Sequence, residues 1–176
     1  MPPPLLRFAL DRDRGRIKGA LISGLLGGLD RAAIAALTAR FVAALAPPML
    51  LPSALAAIAR HRAAGDRLVL LSASTDLYVP PLGARLGFDE VHCTRVAWDG
   101  DRLLGTLAGP NLRGVEKQRV ILELKFRHPG STLAAYANSR SDFDHLRSVE
   151  QPTLVNGSLA ARRRAARLHI PCADWR

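Results

Sequence analysis

Small polar residues follow two apolar runs of the sequence, at positions where ligands are commonly bound. The run "LVLL" is followed by Ser72, Ala73 and Ser74, and the run "TLAAYA" is followed by a polar stretch from Asn138 to Asp142. Short apolar runs are typical of buried parallel strands, and ligands of such sheets lie beyond the carboxyl ends of the strands. Free backbone N–H groups at the start of a following helix would favour an anion. The two clusters therefore predict a site for an anionic ligand.

Each polar residue also has an ordinary structural explanation when it is taken singly. Ser72 could be a turn or N-cap serine, Lys117 after "GPNLRG" could be a solvated lysine, and Asp142 could cap a helix. Their order along the chain and their context, rather than any one of them, indicate chemistry. A serine hydroxyl and a lysine ammonium group are donors that can bind an anion.

Helical and extended patterns alternate along most of the chain. Asp30 and Ser53 fit helix N-caps, and Gly65 fits a helix end. The spacing predicts a helix from Asp76 to Leu86 and a turn between extended segments at Asp99–Asp101. Helices that alternate with short apolar strands predict an α/β fold, in which a parallel sheet carries helices on both faces.

A proline cluster near residue 50 predicts a boundary between two parts of the chain. The first 50 residues have helical spacing, and Pro47, Pro48 and Pro52 interrupt it. We therefore expect a helical cap-like segment over residues 1–52 and an α/β core over residues 53–176.

The composition fits a folded domain with a strong positive charge. The chain has 176 residues, 48% of them hydrophobic, and a net charge of +10, which suits a single domain with its own core. The basic residues are mostly arginine, and they are densest in "ARRRAAR" (Arg162, Arg163, Arg164 and Arg167). No aromatic residues alternate with them, so the pattern favours a solvated helix face, and we expect no nucleic-acid partner. A basic module for nucleic acid or an anionic membrane is the charge-based alternative.

Two features concern the compartment of the protein. Cys93 and Cys172 are far apart and form no metal-site or disulfide pattern, so a cytoplasmic location is the expectation. The apolar segment Ile17–Leu29 is shorter than the roughly 18–20 residues of a membrane span, so we expect no transmembrane segment and a buried helix there.

Three stretches together resemble the haloacid dehalogenase superfamily of phosphohydrolases, in the branch similar to phosphoserine phosphatase (subfamily IB). "LVLLSAS" matches the strand that ends in a phosphate-binding Ser or Thr, with Ser72 in that position. "RGVEK" matches the glycine turn and lysine, with Lys117 in that position. "YANSRSD" aligns with the acidic metal-binding loop, with Asn138 at the first acid and Asp142 at the second.

The resemblance implies a Rossmann-like core with a small N-terminal helical cap, and a Mg²⁺-dependent phosphomonoester hydrolase. Its substrate would be a small phosphorylated metabolite or head group. Ser72, Ala73, Ser74 and Lys117 would bind the phosphate, with Ser72 and Lys117 as the catalytic residues of this chain. Asn138 and Asp142 would hold Mg²⁺, weakly, because an amide oxygen is a poorer ligand for Mg²⁺ than a carboxylate.

The family's nucleophile lies in a motif of the type Asp-x-Asp-Gly-Thr, at the end of a central strand. Here "DRDRG" offers Asp11 and Asp13, but Arg14 and Gly15 stand in place of the Gly-Thr pair. We therefore expect that Asp11 is not a nucleophile and that the given start lies inside a longer reading frame. A non-catalytic relative that binds a phosphorylated ligand or partner is the alternative.

Overall fold

The computed structural model of the protein describes residues 14–45 and 49–176; the candidate acids Asp11 and Asp13 lie outside the described residues. The described helices are α1 Arg14–Leu26, α2 Arg31–Ala44, α3 Pro52–Ala63, α4 Val79–Leu86, α5 Val115–Arg127, α6 Phe143–Leu146 and α7 Leu159–Arg167. The described strands are β1 Val69–Thr75, β2 Glu90–Thr94, β3 Val96–Asp99, β4 Arg102–Leu107, β5 Ala134–Ala137, β6 Gln151–Val155 and β7 Cys172–Ala173. A 3₁₀ turn spans Arg140–Asp142.

The strands form parallel pairs, as predicted for an α/β fold. β1 pairs in parallel with β2, and β5, β6 and β7 form a parallel sheet in that order. β3 and β4 form an antiparallel hairpin whose turn lies at Asp99–Asp101, as the sequence predicted. The α/β class is thus confirmed, and its parallel strands are divided between two sheets.

The described chain divides into two compact units, neither of which is continuous in sequence. The first contains the described residues up to Met49 together with Gly65–Leu112, and the second contains Leu50–Ala64 together with Arg113–Arg176. The first unit holds β1 to β4, and the second holds the sheet of β5, β6 and β7. The functional division into residues 1–52 and 53–176 stays a prediction.

The core of the first unit joins the two N-terminal helices to the hairpin. Ile22 and Ile34 pack with Val96 and Leu103, and all four are buried. Asp30 caps α2 as predicted, since its carboxylate accepts a hydrogen bond from the backbone N–H of Ala33 at 2.8 Å. No described helix has the length and apolar character that crossing a membrane requires.

Helix α1 lies against strand β4 at Gly105. This glycine has φ +73, a left-handed conformation that side chains disfavour. A Cβ atom at Gly105 would lie 2.3 Å from the Cα atom of Ser23 in α1. Across the same contact, a Cβ atom at Gly19 would lie 3.3 Å from the carbonyl oxygen of Gly105. The absence of side chains at these positions therefore lets helix and strand approach closely.

The core of the second unit is formed by α6, β6 and α7. Its buried members are Phe143, Leu146, Leu154, Ala161, Ala165 and Ile170. Two arginines of the basic cluster make contacts within this unit. Arg162 pairs with Asp174, and the Arg164 guanidinium lies 4.6 Å from the ring centroid of Phe143.

Two local predictions were wrong. Ser53 is not an N-cap, because α3 begins at Pro52 and the Ser53 hydroxyl donates instead to the carbonyl oxygen of Arg176 at 2.9 Å. α4 begins at Val79 rather than Asp76. Asp76 is held outside the helix because its carboxylate accepts a hydrogen bond from the Val96 N–H at 3.0 Å.

Candidate functional site

Strand β1 leaves its regular pairing directly after Ser72. Ser72 is paired with Cys93 of β2, and the next paired residue of β1 is Thr75, opposite Thr94. Ala73 and Ser74 are therefore two extra residues on β1, and the Ser74 N–H donates to the Ser72 hydroxyl oxygen at 3.1 Å. Such bulges redirect the chain and are common beside active sites. The predicted phosphate-binding residues thus form a bulged segment of β1, named here the Ser72–Ser74 turn.

A group of polar side chains holds the Ser72–Ser74 turn through the carbonyl oxygen of Ala73. The fully buried Thr94 hydroxyl lies 2.8 Å from this oxygen. The Lys18 ammonium group also donates to it, and to the Asn111 side-chain oxygen at 2.6 Å. The Leu112 N–H donates to the Thr94 hydroxyl oxygen at 3.0 Å. The turn is therefore fixed by α1, by β2 and by the segment after β4.

Sequence reasoning missed Lys18, Thr94 and Asn111 as members of this group. The signal for Lys18 was a single lysine within an otherwise apolar run, and Asn111 stood in the stretch "GPNLRG" before Lys117. Thr94 gave no signal of its own, because a threonine at a strand end is ordinary.

Cys93, beside the Ser72–Ser74 turn, is not activated as a nucleophile. Burial raises the pKa of its thiol to about 11, and the negative charge of nearby Asp76 acts in the same direction. Burial also raises the pKa of Asp76 above its usual value, against the opposing hydrogen bond from Val96. Since the thiolate is the reactive form of cysteine, Cys93 stays protonated and inert near neutral pH.

The second unit contains a buried ion pair between Lys117 and Asp142. The Lys117 ammonium nitrogen lies 2.9 Å from Asp142 Oδ1, and both side chains are almost fully buried. Lys117 is in the first turn of α5, which begins after Gly114, and Asp142 ends the 3₁₀ turn that follows β5. The structure thus brings together two residues that the sequence singled out 25 positions apart.

Besides its ion pair with Lys117, Asp142 stabilises the start of the 3₁₀ turn as part of a capping box with Ser139. Its Oδ2 accepts a hydrogen bond from the Ser139 N–H at 3.2 Å, while the Ser139 hydroxyl accepts one from the Ser141 N–H. Both carboxylate oxygens of Asp142 are therefore engaged, and the side chain is held in one orientation.

The donors around Asp142 do not by themselves form a Mg²⁺ site. Asn138 follows β5 and is exposed, and both oxygens of Asp142 already accept hydrogen bonds. Within residues 14–45 and 49–176, no cluster of three or more His, Cys, Asp or Glu side chains is arranged to hold a metal ion. Because Mg²⁺ favours an octahedral set of oxygen ligands, one engaged carboxylate and one amide make a poor fit.

His145 lies beside the ion pair and is held in its neutral form. Its Nδ1 atom is 3.9 Å from Asp142 Oδ1, and this buried atom has no hydrogen-bond partner in the described part of the chain. Burial lowers the pKa of His145 to about 4, and the positive charge of Lys117 adds to this effect. Asp142 and Asp144 oppose it with smaller contributions.

We expect this histidine to make the protein less stable in mild acid. The folded pKa of about 4 lies below the ordinary histidine pKa of 6.5, so between these values the unfolded chain binds more protons. The stability is complete above pH 6.5 and is lost as the pH falls towards 4. Urea unfolding at pH 7 and at pH 4.5 should show a loss on the order of 2 kcal/mol from this group. His145→Gln should reduce this loss of stability, and an equal loss in the His145 variant would contradict the assignment.

The prediction that Ser72 and Lys117 bind the same phosphate group concerns residues of different compact units. Lys117 and Asp142 meet within the second unit, and the Ser72–Ser74 turn belongs to the first. That Ser72 and Lys117 act on one phosphate group stays a prediction.

Comparisons with known proteins place this fold in a family. A family model described as "haloacid dehalogenase-like hydrolase" matches residues 4–147. Protein CicA of Caulobacter vibrioides is 34% identical over 152 residues, covering 86% of this chain and 68% of that protein. The inhibition of morphological differentiation protein of Streptomyces azureus is 29% identical over 167 residues, covering 94% of this chain and 60% of that protein.

Solved structures share the fold at lower identity. A protein with unknown function from Bordetella pertussis Tohama I has a TM-score of 0.81 at 22% identity, covering 96% of this chain and 79% of that one. A probable phosphoserine phosphatase from Vibrio cholerae has a TM-score of 0.74 at 13% identity, covering 96% of this chain and 50% of that one. These likenesses confirm the predicted Rossmann-like core. The chain therefore belongs to the haloacid dehalogenase-like hydrolase family.

Proposed function

We propose that the protein binds the phosphate group of a small phosphorylated metabolite or head group, as a phosphatase-type member of its family. The Ser72–Ser74 turn and Lys117 are the proposed phosphate-binding groups. The observation that carries the proposal is the buried Lys117–Asp142 pair, whose carboxylate ends the 3₁₀ turn that follows the parallel strand β5. Burying two charges is costly even when they are paired, and buried ionisable groups concentrate at functional sites. Phosphoryl transfer depends mainly on positioning and charge neutralisation, which a lysine fixed in this way can supply.

The proposed site contains groups that can bind phosphate, but cleavage of a phosphate ester requires a further group. A covalent phosphatase step needs a nucleophile aimed at phosphorus, and the sequence contains no Asp-x-Asp-Gly-Thr motif. Asp11 is the carboxylate that "DRDRG" offers for this role. We propose that the 176-residue chain binds phosphate weakly, depends little on Mg²⁺, and does not hydrolyse phosphomonoesters. We also propose a cytoplasmic location, since Cys93 and Cys172 are both free thiols.

The test is an assay of the purified chain with an aryl phosphate, with and without Mg²⁺. We expect no phosphate release above background, and weak binding of inorganic phosphate by calorimetry. Ser72→Ala should weaken that binding several-fold, because it removes one donor. Mg²⁺-dependent turnover that Asp11→Asn abolishes would overturn the proposed inactivity and identify Asp11 as the nucleophile.

Asn138 offers a separate test of the proposed metal ligands. Asn138→Asp replaces a neutral oxygen with a carboxylate, so Mg²⁺ binding measured by calorimetry should become stronger. Turnover should not appear, because the substitution supplies no nucleophile. An unchanged Mg²⁺ affinity would remove Asn138 and Asp142 from the proposed metal set.

A further inference from the structure

A largely apolar cavity of about 800 Å³, open to solvent, lies within the first unit, between helices α1 and α2 and the end of β1 with the residues that follow it. Its volume is in the range of small-molecule binding sites. The apolar side chains of its wall come from both helices and from the turn after β1, and include Ile17, Leu21, Ile22, Leu37, Phe41 and Leu77. The rings of Phe41 and Tyr78 pack edge to face, with their centroids 5.0 Å apart. Helices α1 and α2 thus line an open space whose wall, with the exposed side chains of Leu21, Leu37 and Phe41, suits an apolar ligand.

The hydroxyl of Thr38, which lines the cavity, is already hydrogen-bonded within the protein. It donates a hydrogen bond to the carbonyl oxygen of Leu77 at 2.8 Å. Thr75, which also lines the cavity, is buried. A sugar or amino-acid group inserted among the surrounding apolar side chains would lose hydrogen bonds to water without replacing them. The wall therefore favours an aliphatic ligand over a polar one.

One side of the cavity borders the Ser72–Ser74 turn. Ser74 lines the cavity, and its N–H is hydrogen-bonded to the Ser72 hydroxyl. Lys18 lines the cavity as well, and its ammonium group is bonded to the carbonyl oxygen of Ala73. A positive charge and the turn proposed to bind phosphate therefore meet the apolar wall at the same place.

We propose that this cavity binds the apolar tail of a phosphomonoester whose phosphate group lies at the Ser72–Ser74 turn. The inference deepens the proposed function and rests on it, because the phosphate is the group that the turn is proposed to hold. The substrate class is then an amphiphile, with a phosphate at one end and an aliphatic chain at the other. Leu21 contributes to the tail site from α1, and Phe41 contributes from α2.

The experiment is calorimetry of the 176-residue chain with inorganic phosphate and with ethyl, butyl, hexyl and octyl phosphate, each below its micelle concentration. Burial of each added CH₂ group should tighten binding roughly threefold, which is on the order of 80-fold between butyl and octyl phosphate. Leu21→Gln should weaken octyl phosphate binding several-fold and leave inorganic phosphate binding unchanged. Leu25→Gln is the matched control, since Leu25 is on the same helix, is 78% exposed and does not line the cavity.

The two proposals fail in different ways in this experiment. Inorganic phosphate binding with no dependence on chain length, or an equal loss in the Leu21 and Leu25 variants, would overturn the tail site and leave the proposed function standing. If 1-octanol binds as tightly as octyl phosphate, the phosphate group contributes nothing to the affinity. That result would overturn the proposal that one ligand places its tail in the cavity and its phosphate at the Ser72–Ser74 turn. If neither inorganic phosphate nor octyl phosphate binds, both proposals fall.

Discussion

Lys117→Ala should abolish phosphate binding and lower the free energy of unfolding by about 3–5 kcal/mol. The lysine is paired with Asp142 at 2.9 Å, and both side chains are almost fully buried. Its removal leaves a buried carboxylate without its cation, and breaking such a pair from one side carries a cost of this size. The measurements are urea unfolding at pH 7 and calorimetry with inorganic phosphate.

A second pair of variants separates binding from stability at this site. Lys117→Met combined with Asp142→Asn removes both charges, so about half or more of the lost stability should return. Phosphate binding should remain absent in this double variant, because the cation is gone. Asp142→Asn alone should keep or strengthen phosphate binding, since it removes a negative charge beside Lys117. Binding that returns together with stability in the double variant would show that Lys117 acts only through the fold.

Gly105→Ala should lower the free energy of unfolding by about 3 kcal/mol. The new Cβ atom would lie 2.3 Å from the Ser23 Cα atom, a backbone atom that moves only if α1 shifts on β4. Overpacking of this kind typically costs about 1–3 kcal/mol, and the left-handed backbone at φ +73 adds about 1 kcal/mol. Thermal and urea unfolding would both report the change.

Gly100 provides a matched control for Gly105. It has φ +53 in the turn between β3 and β4, and a Cβ atom there would have no heavy atom within 4 Å. Gly100→Ala therefore carries the conformational cost without the steric one, about 1 kcal/mol. Equal effects of the two substitutions would show that the contact between α1 and β4 does not limit stability.

Local features of the fold were predictable because their causes lie close together in sequence. The Asp30 cap and the turn at Asp99–Asp101 each depend on residues within a few positions of one another. Lys117 and Asp142 could be singled out from the sequence because "RGVEK" and "YANSRSD" match motifs of the family. Each of these predictions used short-range patterns that survive tertiary packing.

Long-range contacts were not predictable in the same way. Lys18 reaches Ala73 across 55 positions and Asn111 across 93, and no periodicity encodes such a pairing. The two extra residues in β1 were also missed, because the bulge depends on how β1 pairs with β2. The sequence predicted the parallel strands but placed them in one sheet, whereas the structure divides them between two. Which strands pair depends on tertiary packing rather than on local propensity.

Helix α3 has a consequence for the order in which the chain can fold during synthesis. In the sequence, α3 stands between two segments of the first unit, yet it belongs to the second unit. Its Ser53 hydroxyl is hydrogen-bonded to Arg176, 123 positions later. The ribosome therefore produces α3 well before most of its partners exist. Pairing of β1 with β2, which uses only residues 69–94, can occur earlier. The helix must remain undocked through that interval, so its apolar side chains stay exposed to water until the second unit has been synthesised.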